Sequence, residues 1–139
     1  MTPKIFLDAN VLFTASHNPS GKAALIMELG AQGHWETLTS TLAVEEARHN
    51  LDIKFSDCLP RLDSILNKMR VVSSVCGPTC PIDLPEKDRP IFLTAFKCRA
   101  THLLTGDVRH FGSFLNDPSR TSGVAIMTIA DFLTAFSHI

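Results

Sequence analysis

The chain has 139 residues, 45% of them hydrophobic, and a formal net charge of -1. That length fits one domain with a real core and excludes a disordered chain. The near-neutral charge excludes general attraction to nucleic acid, so any phosphate-binding surface has to be a local patch.

Lys4 to Asp8 carries Ile-Phe-Leu and reads as a short buried strand. Asn10 can cap a following helix over Val11 to Ala15. His17-Asn-Pro-Ser-Gly is a loop, and Ala23 to Leu29 is helical with Gly30 and Gly33 near its end. Glu36 to Leu38 is a short strand candidate, and Ser40 or Thr41 starts a helix to about Phe55. Asp57 to Lys68 is amphipathic, with Leu59, Leu62, Ile65 and Leu66 at helical spacing. Met69 to Val72 is a strand candidate. Ser73 to Pro85, rich in Pro, Gly and Cys, is a loop and the segment expected to move most.

Asp88 opens the next helix, where its carboxylate suits the N-cap and Pro90 is tolerated in the first turn. Ile91, Ala95 and Phe96 are expected to face inward. Thr101 to Thr105 is a strand ending in a Gly106-Asp107 turn, and Val124 to Met127 is a last strand. Thr128, with Asp131 three residues on, resembles a capping box for a final helix. Alternating strands and helices imply an α/β fold with a parallel sheet of four or five strands, covered on both faces as three α/β/α layers. Residues 1–139 are read as a single domain.

Four acids stand where elements begin or end: Asp8, Glu46, Asp88 and Asp107. Each has a plain explanation as a cap or a solvated residue. Jointly they point to one site, because ligands of open α/β sheets bind outside the carboxyl ends of strands, where Asp8 and Asp107 fall. Gathered carboxylates cannot all ionise without a cation between them, and oxygen ligands without thiolates favour Mg²⁺ or Mn²⁺. The chemistry implied is divalent-metal hydrolysis, most naturally of phosphodiesters. Glu46 shares a helical stripe with Ala43, Ala47 and Asn50 and is the inward candidate. Glu45 lies with Thr41, Arg48, His49 and Asp52 and is read as a surface ion-pair residue, although a single sequence leaves the helix phase open.

The four cysteines, Cys58, Cys76, Cys80 and Cys98, are read as reduced thiols, since Cys76 and Cys80 lack a second ligand pair for zinc. His17, His34, His49, His102, His110 and His138 form no close ligand pair. His110, near Asp107, is assigned a surface or packing role over a substrate contact. Trp35 is read as packing beside a loop. Lys87, Arg89, Arg109 and Arg48 are candidate backbone contacts, weighed against ordinary solubilising charge. The N-terminus carries no signal-like leader and no apolar run spans a bilayer, so a cytoplasmic location is expected, with no membrane partner.

The chain resembles the PIN domain family, the metal-dependent nuclease domain of VapC-type toxins and related ribonucleases. The resemblance rests on Ile-Phe-Leu-Asp8-Ala-Asn10, Glu46-Ala-Arg-His-Asn-Leu, Glu-Lys-Asp88-Arg-Pro-Ile-Phe-Leu and Leu-Leu-Thr105-Gly-Asp107, in that order. It covers nearly the whole chain. A further acid of the family has no counterpart in Val-Arg-His-Phe at positions 108 to 111. The resemblance implies an endoribonuclease that leaves a 5′-phosphate and a 3′-hydroxyl. Asp8, Asp88 and Asp107, with Glu46 directly or through water, would hold one or two Mg²⁺ or Mn²⁺ ions, oriented by Asn10 and Thr105. It also implies RNA as substrate, and either a cognate antitoxin or a stand-alone processing role. A homodimer is a further expectation, with the Asp57 to Lys68 face as one candidate surface and internal packing as the other reading of that face. The competing readings are a non-catalytic module of the same fold and an Asp-dependent phosphatase or receiver. Asn10 stands where the phosphatase wants a second Asp, and the receiver's early acidic pair and late Lys are not visible.

Overall fold

A computed structural model describes residues 2–77 and 79–136. Its sheet has five parallel strands in the order β3-β2-β1-β4-β5: β1 (Lys4–Leu7), β2 (Glu36–Ser40), β3 (Arg70–Val72), β4 (His102–Leu104) and β5 (Ala125–Met127). Seven α-helices accompany it: α1 (Ala9–His17), α2 (Lys22–Ala31), α3 (Thr41–Lys54), α4 (Leu59–Leu66), α5 (Arg89–Lys97), α6 (Val108–Phe111) and α7 (Ile129–Phe136). Ile5, Phe6 and Leu7 are consecutive and wholly buried. Successive strand residues point to opposite faces, so helices must cover both, which makes a three-layer α/β/α architecture. Leu38, Leu103, Leu104 and Ile126 continue the same apolar slab.

Several expected elements shift. α1 begins at Ala9, and its N-cap is Asp8, whose Oδ1 accepts from the Ala9 amide at 2.7 Å. Asn10 is therefore a helix residue and not the cap. Gly30 lies inside α2, where a Cβ would meet Thr37 Cγ2 at 2.9 Å, so glycine lets that helix close onto β2. The Asp57 to Lys68 stretch divides into a 3₁₀ turn, Ser56–Cys58, and α4. Leu62 of α4 is fully buried, while Leu59, Ile65 and Leu66 pack on the core, so this face packs internally against α1. Thr101 precedes β4, and its hydroxyl bonds to Lys4. Thr128 Oγ1 does accept from the Asp131 amide at 3.1 Å, but the Asp131 carboxylate turns to Asn116 Nδ2, leaving half of a capping box.

The 73–85 segment carries no helix or strand among its described residues, and Pro78 and His138 lie outside the described residues. It is anchored by buried Ile82 and Leu84 and by a 2.9 Å bond from the Val75 amide to Thr94 Oγ1. Trp35 packs edge-on against Phe132, and its indole N–H donates to the Ile26 carbonyl.

Candidate metal centre

The chain runs outward from β1 to β2 and β3, then returns to place β4 on the other side of β1. The crevice beyond the β1 and β4 carboxyl ends is therefore the topological switch point of the sheet. The β1–β4 register ends with Leu7 opposite Leu104, and the next residues are Asp8 and Thr105. The ladder continues past both: the Asp8 amide donates to the Leu104 carbonyl at 3.1 Å, and the Thr105 amide to the Met127 carbonyl at 3.0 Å. Both side chains are thus held by backbone pairing, and both are buried.

Thr105 Oγ1 uses its full bonding capacity. It donates to Asp8 Oδ2 at 2.8 Å and accepts from the Asp107 amide at 3.0 Å and from Asn10 Nδ2 at 3.5 Å. Asn10 Oδ1 accepts from the Gly106 amide at 2.7 Å, which ties the β4–α6 turn to α1. Glycine at 106 leaves room for that approach, since a Cβ there would stand 3.3 Å from Asn10 Oδ1 and crowd it by a few tenths of an ångström. Asp107 caps α6, its Oδ1 accepting from the His110 amide at 3.1 Å. Capping and site-forming are not alternatives here, because each carboxylate has two oxygens and spends one on the helix.

Asp88 differs. It ends a 3₁₀ turn (Glu86–Asp88) ahead of α5 and makes no side-chain cap bond. It is only 8% exposed, and its Oδ2 has no hydrogen-bond partner. His110 Nδ1 stands 2.8 Å from Asp107 Oδ2 and 3.0 Å from Asp88 Oδ2. A proton on Nδ1 directed at Asp107 leaves Asp88 unserved. His110, assigned above to the surface or to packing, thus lies inside the cluster. Its spacing of three residues from Asp107 on a short helix was the available signal.

Asp8, Asn10, Leu42, Glu46, Lys87, Asp88 and Asp107 line a cleft of about 330 Å³. Glu46 is exposed at its rim, yet its charge and that of Asp88 act on Asp8. Burial first, then those two charges, push Asp8 up to about 6 from 3.8, against the bonds from Thr105 and Ala9. Burial also raises Asp88, which His110 and Lys87 oppose and Asp107 reinforces. Glu45 is exposed and absent from the cleft, and Arg48 pairs with Asp63 of α4 at 2.8 Å, not with Glu45. Lys87 lines the cleft, Arg109 is exposed on α6, and Arg89 donates through Nε to the Leu84 carbonyl at 3.0 Å. A second hollow, about 340 Å³ between α2 and α4, holds one carboxylate, Glu28, and no converging acids.

An orphaned buried carboxylate oxygen, and neighbouring acids whose charges help raise the pKa values of Asp8 and Asp88, fit a hard divalent cation. Asp88, Asp107 and His110 are the group among the described residues whose ligand atoms lie within 4.8 Å of one another. All four cysteines are free thiols outside it.

The fold is that of PIN-like α/β/α domains. It is similar to a chain of VapBC2 from Rickettsia felis, solved bound to a DNA fragment from its promoter (TM-score 0.62, 13% identity, 90% of this chain and 98% of that one). It is similar to a chain of DNA-bound VapBC from Salmonella typhimurium (0.63, 14%, 92% and 99%). It is also similar to a PilT N-terminus domain protein from Sulfolobus solfataricus P2 (0.56, 19%, 95% and 92%). No protein-family model matches the sequence, and no curated protein does. Among the described residues no helix is long and apolar enough to cross a membrane.

Proposed function

We propose that residues 1–139 form a single nuclease domain that hydrolyses RNA phosphodiesters with a divalent metal, Mg²⁺ or Mn²⁺. The observation that carries this is the unpartnered, buried Oδ2 of Asp88 facing Asp107 in a cleft that also holds Asp8 and Glu46. Asp8, Asp88 and Asp107 would bind the ion and Glu46 would reach it from the rim. When bound, the ion lowers the pKa of water and neutralises charge on the phosphoryl group. The chain's own residues do the positioning. Thr105 aims Asp8, Asn10 fixes the turn that carries Asp107, and Lys87 and Arg109 offer charge to the RNA backbone. No side-chain nucleophile is needed. Asn10 spends its acceptor on the Gly106 amide, which argues against an aspartyl phosphatase reading.

Two of the structural neighbours are VapBC assemblies, which supports reading this chain as a toxin with an antitoxin partner. The test is cleavage of a labelled single-stranded RNA pool with Mn²⁺, with Mg²⁺ and with EDTA, beside Asp8→Asn. Cutting that needs metal and disappears in the variant supports the reading. Folded protein that cuts under no metal, or a variant that cuts as well as the parent, overturns it.

A further inference from the structure

We propose that His110 is a nitrogen ligand of the cation and that it makes this cleft a site for Mn²⁺ ahead of Mg²⁺. The inference rests on the metal-dependent reading above and names the ion. His110 follows Asp107 by three residues on α6, and its backbone amide is held by the Asp107 carboxylate at 3.1 Å, so the ring is fixed beside both acids. Nδ1 lies 2.8 Å from Asp107 Oδ2 and 3.0 Å from Asp88 Oδ2. Positions 108 to 111 contain no further acid, and His110 is the one residue among them whose side chain stands within 3.0 Å of both carboxylates.

The second, independent observation is Asp88 itself. The residue is 8% exposed, spends nothing on capping, and has for its buried Oδ2 only the His110 Nδ1 that Asp107 already shares, 3.0 Å away and making no hydrogen bond to it. The single proton of Nδ1 cannot serve two carboxylates fully. A divalent cation taking the place of that proton would serve Asp88, Asp107 and the imidazole at once, with the ring left as neutral imidazole protonated on Nε2: the Nδ1 proton moves to Nε2, or passes to solvent where Nε2 already carries one. Mg²⁺ keeps an all-oxygen shell, whereas Mn²⁺, although the weakest binder of the first-row divalent series and itself at home with oxygen ligands, accepts an imidazole nitrogen more readily than Mg²⁺ does.

The full chain, stripped with chelator, is loaded with Mn²⁺ and examined by pulsed EPR for coupling to ¹⁴N, alongside His110→Ala and His110→Asp. Folding of each is checked by circular dichroism, and His110→Asp serves should the alanine variant not fold. The parent is expected to show nitrogen modulation, and both variants to lose it. Mn²⁺ affinity should fall roughly tenfold or more in His110→Ala. In His110→Asp, Mg²⁺ should displace Mn²⁺ more readily than in the parent. Mn²⁺ bound by the parent without nitrogen modulation, or modulation that persists in both variants, overturns the role of His110 and leaves the metal site standing. A parent chain that binds no Mn²⁺ overturns the metal site and His110's role with it.

Discussion

Thr105 Oγ1 donates a 2.8 Å hydrogen bond to Asp8 Oδ2, joining residues 97 apart in sequence across the carboxyl ends of β4 and β1. Both groups are buried, so the bond is made without competition from water. Thr105→Val keeps the shape and removes the donor. We expect a loss of about 1–3 kcal/mol in denaturant unfolding, since Asp8 Oδ2 is left unpartnered. The Asp8 pKa should also climb above its present value, because that bond holds it down. Carboxyl-carbon NMR titration reads the second effect, and an unmoved Asp8 would refute the link.

Asp8 carries a pH signature in metal-free protein. Its folded pKa of about 6 exceeds the unfolded 3.8, so the native state holds the proton more tightly. The stability this proton contributes is complete below pH 3.8 and is lost as pH rises through about 6. Asp88, also raised, acts in the same direction. Asp8→Asn keeps an acceptor for the Ala9 amide and removes the ionisation. Relative to the variant, the parent should lose on the order of 3 kcal/mol between about pH 4 and about pH 7 in chelator, by the linkage of pKa to stability. Parallel stability curves for parent and variant would contradict the buried, destabilised carboxylate.

Asn10→Ala removes the acceptor of the Gly106 amide, 2.7 Å away, and frees the turn that positions Asp107. The bond is solvent-exposed, so the stability cost should stay near 1 kcal/mol. Divalent-ion affinity should drop by roughly tenfold, as for groups that orient ligands. Calorimetric titration separates the two effects. Equal loss in fold and affinity would mean that Asn10 is merely structural.

The basic residues should not behave alike. Lys87 is exposed at the cleft, so Lys87→Ala in an Asp8→Asn background should weaken RNA binding and lower the salt slope by about 1. Arg48 is already paired with Asp63, and Arg48→Ala should leave the slope unchanged. Arg89→Ala also releases Leu84 and should cost stability as well as charge. Fluorescence anisotropy across a salt series gives the slopes, and identical slopes for Lys87→Ala and Arg48→Ala would remove Lys87 from the RNA path.

Strand-and-helix alternation was readable because β1 and β4 carry the short apolar runs Ile5-Phe6-Leu7 and Leu103-Leu104, and Asp8 and Asp107 follow those runs, the first directly and the second after Thr105-Gly106. Helix starts were less legible. Asp8 and Asn10 are both good caps, and only the backbone decides that Asp8 takes the role and Asn10 reaches across to Gly106. The phase of α3 was open between Glu45 and Glu46, and the structure turns Glu46 to the cleft. His110 was obscured because one histidine without a ligand pair carries little information. Its meaning comes from α5 bringing Asp88 alongside, a contact 22 residues away that no local pattern encodes. The Asp57 to Lys68 stripe had two readings in sequence, a free face or an internal one; Leu62 is buried in the core, and Leu59, Ile65 and Leu66 pack on it while keeping part of their surface exposed.

On the proposed function, the cleft between β1 and β4 holds a divalent cation through Asp88 and its neighbours. Calorimetric titration of Mn²⁺ into chelator-treated parent protein and into Asp88→Asn tests that binding most directly. Binding to the parent, with affinity lost in a folded Asp88→Asn variant, is the predicted result. No binding to the parent, or undiminished binding to the variant, would contradict it.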